Sequence, residues 1–140
     1  KGKIIMLESL NVKYLIIHCS DTADDKDLSA RDIHKMHLTF GWDGIGYHKI
    51  IRRDGTLENG RPEFWVGAHT YGLNKKSLGV CLIGRTNFTS NQINSLEKLL
   101  IEWKKKYPYT QIKGHSEAIK TKKTCPNFNV LKFLSQRNLH

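Results

Sequence analysis

A histidine and a cysteine stand close together in the stretch GHSEAIKTKKTCPNF, residues 114–128: His115 and Cys125, with Lys123 two positions before the cysteine and a proline just after it. Imidazole and thiolate are the side chains that borderline-soft Zn²⁺ prefers. Two ligands do not make a site, and His18 is the best candidate for a third. It stands at the polar end of the apolar run Tyr14-Leu15-Ile16-Ile17. One ligand at a strand end and two from a distant loop make an arrangement for catalysis, because a structural zinc knuckle pairs its cysteines two to four residues apart. The spacing alone also admits a plainer reading, in which His115 is a surface histidine and Cys125 a buried thiol unrelated to it.

The elements that must position these groups follow from periodicity. Val12–Ile17 reads as a buried central strand, short and nearly continuously apolar. His18 and Cys19 follow it, and strand geometry sends their side chains to opposite faces, so only one can join a given site. Ser29 and Asp32 give a capping signal for a helix running to about Thr39, with Ile33, Met36 and Phe40 on its apolar face. His34 and His37 ride on that helix. Without an HExxH pattern they read as ordinary surface or boundary histidines rather than metal ligands.

Gly46–Arg53 reads as a strand, turned by Asp54-Gly55 into Thr56–Glu58, with a second turn at Asn59-Gly60. Tyr47 and His48 face opposite sides of it. Residues 65–72 form a glycine-punctuated loop, and Ser77–Gly84 a second buried strand. Thr89 and Gln92 form a capping box for the longest helix, striped by Ile93, Leu96, Leu100, Trp103 and Tyr107. Lys104–Lys106 suit its C-terminal dipole, and Pro108 ends it. Gln111–Lys113 is a short strand leading to His115, and Asn129–Gln136 a last helix. Alternating strands and helices with one hairpin predict an α/β single domain, a mixed central sheet flanked by helices.

Composition bounds the rest. The chain has 140 residues, enough for one domain with a real core. Lys and Arg exceed Asp and Glu by 23 to 13, a net charge of +10 that draws the chain to polyanions without choosing among nucleic acid, membrane surface and cell-wall polymer. Three cysteines cannot all pair; Cys81 lies in an apolar run as a small core residue, and a Cys19–Cys81 disulfide stays open. No apolar stretch is long enough to span a membrane, so membrane insertion is not expected. No signal peptide is visible in KGKIIMLESL, although the chain opens on Lys1 rather than Met.

The blocks HCS (18–20), RDIHKMH (31–37), GYHKIIRRDGTLENGR (46–61), VGAH (66–69), SLGVCLIG (77–84), GHSE (114–117) and KTCPNF (123–128), in this order and spacing, resemble the zinc amidase family of peptidoglycan hydrolases. This is the amidase-2 or peptidoglycan-recognition-protein-like group, and the likeness extends to the amidase-type lysozymes of T-odd phages. It covers nearly the whole chain. The resemblance implies an N-acetylmuramoyl-L-alanine amidase fold over residues 12–140, preceded by an extension at 1–11. It implies Zn²⁺ on His18, His115 and Cys125, catalytic assistance from Tyr47 and Lys123, and His69 beside the substrate groove. It implies bacterial peptidoglycan as partner and residence in the cytoplasm until release to the wall, with secretion not excluded.

The connection from Gly84 to Phe88 departs from the phage lysozymes, which carry a longer loop there. Two rivals use the same fold: a non-catalytic peptidoglycan receptor, which loss of the zinc cysteine would favour, and a regulator of RNA polymerase or nucleic acid. Cys125 is present, and no RNP, zinc-finger or helix-turn-helix signature appears, so nucleic acid is not an expected partner. A plainer reading of Lys123 places it in a solvated basic run with Lys120 and Lys122.

Overall fold

In the computed structural model, which describes residues 4–119, 121 and 123–139, one five-stranded sheet carries the chain. The strands are β1 (Tyr14–Cys19), β2 (Lys49–Ile51), β3 (Leu57–Asn59), β4 (Ser77–Leu82) and β5 (Gln111–Gly114), in the order β3-β2-β4-β1-β5. β1 lies parallel to both β4 and β5, β2 is parallel to β4, and only β3 runs antiparallel. The helices are α1 (Ala30–Thr39), α2 (Ser90–Lys106), α3 (His115–Ala118) and α4 (Val130–Gln136). This is the mixed, helix-flanked sheet that the sequence predicts. No described helix is long and apolar enough to cross a membrane.

The period of two along the strands divides the core between two faces. Leu15 and Ile17 of β1 join Leu78, Val80 and Leu82 of β4 beneath α2 and α4, where Leu96, Leu100 and Trp103 are buried. The alternate residues Ile50, Cys81 and Ile83 meet Ile33 of α1 on the other face. His18 alternates with Ile17 and is paired in register with Cys81, so it emerges on the α1 side. The three cysteines are free.

Both long helices begin as their sequences predict. The Ser29 hydroxyl accepts from the Asp32 amide at 3.2 Å while the Asp32 carboxylate accepts from the Ser29 amide at 2.9 Å. Thr89 and Gln92 make the same reciprocal pair. Gln92 goes further: wholly buried, its amide nitrogen donates to the Ile83 carbonyl at 2.8 Å, tying α2 to the end of β4.

The hairpin is shorter than expected. Regular pairing covers only Lys49–Ile51; it stops at the C-terminal end because Arg52 already belongs to the turn, its amide donating to the Thr56 carbonyl and its carbonyl accepting from the Gly55 amide. Residues 4–7, expected to precede the domain, pack onto it. Met6 forms a bridge with Trp65, and Leu7 enters the main core.

Gly46 marks the closest backbone approach near the cleft. A Cβ there would lie 2.0 Å from the Ala68 carbonyl oxygen, so Gly46→Ala forces two backbone segments apart. It is expected to cost about 2 kcal/mol or more. The measurement is the urea midpoint at unchanged m; an unshifted midpoint would show that the 66–69 segment yields freely.

Candidate active site

Two parallel-strand ends and a loop converge on one cleft. β1 delivers His18, and β5 runs directly into α3, whose first residue is His115. The loop after α3 returns Cys125, held by the Ser116 amide donating to the Cys125 carbonyl at 3.0 Å. The donor atoms of His18, His115 and Cys125 all lie within 4.8 Å of one another, the two rings 4.6 Å apart between centroids. One cation could therefore touch all three. Two neutral imidazoles and a thiolate fit Zn²⁺ by chemistry as well as by convergence.

The electrostatics favour the ligand forms of the rings. Burial first, and then the neighbouring His69, hold the His18 imidazolium well below its ordinary range. Burial, then the Lys123 ammonium, lowers His115 as well. Both rings are neutral at pH 7, with a lone pair to give. Without a cation, the Cys19 thiol alongside and burial push the Cys125 thiol up. The Cys19 backbone amide nevertheless donates to Cys125 Sγ at 2.9 Å, a bond that favours the thiolate once a cation is there to balance it. Cys19 thus reaches the site through its main chain and its thiol, and His18 through its ring, so the expectation that only one of the two neighbours could join the site does not hold.

Tyr47 and Lys123 flank the donors. The Tyr47 ring lies 5.2 Å from that of His18, and burial raises its phenol well above the ordinary value, so it stays protonated and available as a donor. Lys123 is exposed on the cleft margin, near enough to His18 and His115 to bias both. Lys120 and Lys122 lie outside the described residues. His69 lines the cleft too, and its Nδ1 is 3.0 Å from His18 Nε2.

The cleft holds about 520 Å³. Its outer wall is aromatic, with His37 against Trp42 at 4.6 Å and Phe40 against Trp42 at 5.2 Å. His37 is therefore no ordinary boundary histidine. It is buried, accepts the Gly46 amide at Nδ1, and faces Tyr47 at 5.5 Å. His34 accepts the Ile45 amide in the same way. The three-residue spacing put both rings on the face toward 44–46, but backbone amides leave no trace in a sequence.

A groove of similar size, about 560 Å³, lies between residues 4–5 and the Arg61–Val66 segment. The sole cluster of three metal donors among the described residues lies in the other cleft.

The short connection after β4 stands at the margin of the cleft, bonded to the lining residues Asp21 and Asn127 but not itself lining it. The Asp24 carboxylate accepts from the amides of Arg85, Thr86 and Asn87, which hold its pKa down to about 2. Asn127 then donates to the Arg85 carbonyl at 2.8 Å, tying this margin to the cysteine loop.

The family model for N-acetylmuramoyl-L-alanine amidase matches residues 8–128. The chain belongs to that family. Among relatives, the amidase is 38% identical to the endolysin of Escherichia phage T7 over 133 positions, covering 89% of this chain and 87% of that one. It is 35% identical to the endolysin of Klebsiella phage KP32 over 146 positions, covering 99% and 95%. Among solved structures, the amidase LysC from Clostridium intestinale superposes with a TM-score of 0.82 at 30% identity, covering 99% and 96%. Bumblebee PGRP-SA superposes at 0.81 with 28% identity, covering 96% and 86%.

The buried histidines of the amidase make its metal-free fold sensitive to acid. Burial lowers His18, His37, His48, His69 and His115 alike. Burial lowers His48 from 6.5 to about 4. Its Nδ1 accepts the Gly79 amide at 3.1 Å, and its Nε2 donates to the Trp65 carbonyl at 2.8 Å, a bond that favours the charged ring and limits the fall. A second ring proton would displace the first of these bonds. Below pH 6.5 the unfolded chain binds protons that the fold refuses, so stability is full above 6.5 and declines as pH falls. For His48 the decline levels off near pH 4 after about 3 kcal/mol. Urea unfolding of the metal-free protein at pH 7, 5.5 and 4 measures it; equal stability at all three would refute the assignment. The lowered carboxylate of Asp24 acts only at lower pH.

Proposed function

We propose that this cleft is a zinc amidase centre that cleaves the bond between the lactyl group of N-acetylmuramic acid and L-alanine in bacterial peptidoglycan. The observation that carries the reading is the convergence of His18, His115 and Cys125 donor atoms within 4.8 Å at the floor of an open cleft. A zinc ion held there supplies Lewis acidity toward water and toward the scissile carbonyl.

The chain's own groups do the rest. Hydrolysis adds water oxygen to the carbonyl carbon, breaks the C–N bond and releases the alanine nitrogen as an amine. Charge develops on the carbonyl oxygen, and the Lys123 ammonium is the cation at the cleft margin that can meet it. Tyr47, kept as a phenol in the metal-free protein, serves as a hydrogen-bond donor. The aromatic wall of Phe40, Trp42 and His37 offers a face against which substrate can be held clear of bulk water. The basic balance of the chain suits an anionic wall polymer. Action on the wall requires delivery from wherever the protein is made.

Isolated sacculi provide the test. The expected products are new L-alanine amino termini without new reducing sugar ends, abolished by chelation and restored by Zn²⁺. New reducing ends, or turnover indifferent to chelator, would overturn the reading.

A further inference from the structure

A chain of hydrogen bonds runs from His18 back into the sheet, and its polarity can be read from its far end. The Ser77 hydroxyl donates to the Leu73 carbonyl at 2.8 Å, which commits its only proton. Toward His69 Nε2, 3.4 Å away, Ser77 Oγ can then only accept. The His69 proton therefore sits on Nε2, and His69 Nδ1 is an acceptor. That Nδ1 lies 3.0 Å from His18 Nε2 and 2.9 Å from the Thr70 hydroxyl, which is itself 3.2 Å from His18 Nε2. These contacts are compatible when His18 carries its proton on Nε2, which can point to His69 Nδ1 or to the Thr70 oxygen while the Thr70 hydroxyl donates to Nδ1. A bare His18 Nε2 would instead face the bare His69 Nδ1, lone pair to lone pair.

We infer that Ser77, His69 and Thr70 form a relay that fixes neutral His18 as the Nε2–H tautomer and presents its bare Nδ1 to the metal. His69 and Thr70 are thus positioning residues for a ligand. This rests on the zinc reading above for its purpose, but its polarity is a property of the protein alone. A ligand imidazole whose other nitrogen is held by a fixed acceptor keeps one tautomer and one ring orientation, which raises affinity.

The relay has little freedom to rearrange. A Cβ on Gly79 would lie 2.6 Å from the His69 ring, and one on Gly67 would lie 2.7 Å from it, so the ring fills the space that two glycines leave. The amides of His69 and Thr70 both donate to Asn74 Oδ1 at 2.9 Å, which fixes the backbone carrying them. The VGAHT sequence marks the position of His69, but nothing in it reveals that the ring's partner is another histidine.

The test reads the proton before it reads the metal. In ¹⁵N-labelled metal-free protein, His18 is expected to show an unprotonated Nδ1 and a slowly exchanging Nε2–H, and that slow proton should be lost in His69→Ala. Zinc affinity, from competition with a chromophoric chelator, should weaken about 10- to 100-fold in His69→Ala. His69→Gln, whose amide oxygen can accept in place of Nδ1, should recover much of the loss. Ser77→Ala removes one oxygen only and should give a smaller loss in the same direction, which keeps the test valid if His69→Ala fails to fold. A protonated His18 Nδ1 in the wild type would overturn the relay, as would unchanged zinc affinity in both His69→Ala and Ser77→Ala. If the wild type takes up no zinc, the metal reading fails instead, and the metal-free spectrum still decides the polarity of the relay.

Discussion

Cys125→Ser is expected to leave a folded protein that holds little or no zinc and keeps less than about a thousandth of wild-type turnover on sacculi. The thiolate is the one anionic ligand of the proposed set, and the Lewis acid it retains is worth several kcal/mol of transition-state stabilisation. Serine preserves the shape and the contact with the Cys19 amide but offers a hydroxyl that does not ionise near neutrality. His115→Ala should behave alike, since it removes a ring at the other corner of the donor triangle. Metal analysis of dialysed proteins, beside the assay, checks both. A Cys125→Ser protein with stoichiometric zinc would remove Cys125 from the ligand set.

The second large effect separates chemistry from coordination. Lys123→Ala should fold and retain zinc, yet lose about 100- to 1000-fold in kcat, the usual cost of removing one donor to a developing oxyanion. Lys123 is exposed, so a role in stability is not what its loss would reveal. If the residue merely belongs to a basic surface, Lys120→Ala and Lys122→Ala should do comparable harm, chiefly through weaker attraction to the wall and with strong salt dependence. Turnover of a soluble muramyl-peptide at saturating concentration distinguishes these cases, because wall attraction no longer matters there. Tyr47→Phe belongs in the same series as a zinc-retaining variant with reduced kcat. Near wild-type kcat in Lys123→Ala with zinc bound would end its catalytic assignment.

Much of this architecture is legible in the residues. β1, β4 and α2 announce themselves because burial on both faces, or on one helical stripe, leaves unbroken or periodic apolar patterns. His18 is legible as a polar residue ending an apolar run. The supporting contacts are less so. The Cys19 amide that meets Cys125 belongs to a group every non-proline residue has, so no residue type could signal it. His37 and His34 were recognisable as helix residues, but their value lies in accepting the amides of Gly46 and Ile45 from a segment several residues on. The hairpin strand stops early at its C-terminal end because the turn hydrogen bonds of Arg52 replace ladder bonds, a competition that local propensity does not weigh. α3, a single turn, is too short to show a period.

The three donors come from segments that meet only when β1 and β5 lie side by side in register. In the unfolded chain His18 is separated from His115 and Cys125 by most of the sequence, so only the folded form offers the complete set. Any ion taken up then adds to stability by mass action: about 2.7 kcal/mol at free metal a hundredfold above Kd, and about 4.1 kcal/mol at a thousandfold. Melting temperature therefore becomes a property of the medium as much as of the chain. On the zinc reading proposed above, a chelator that disarms the enzyme should also loosen its fold, and a weakened variant such as Gly46→Ala should regain ground in zinc-replete buffer.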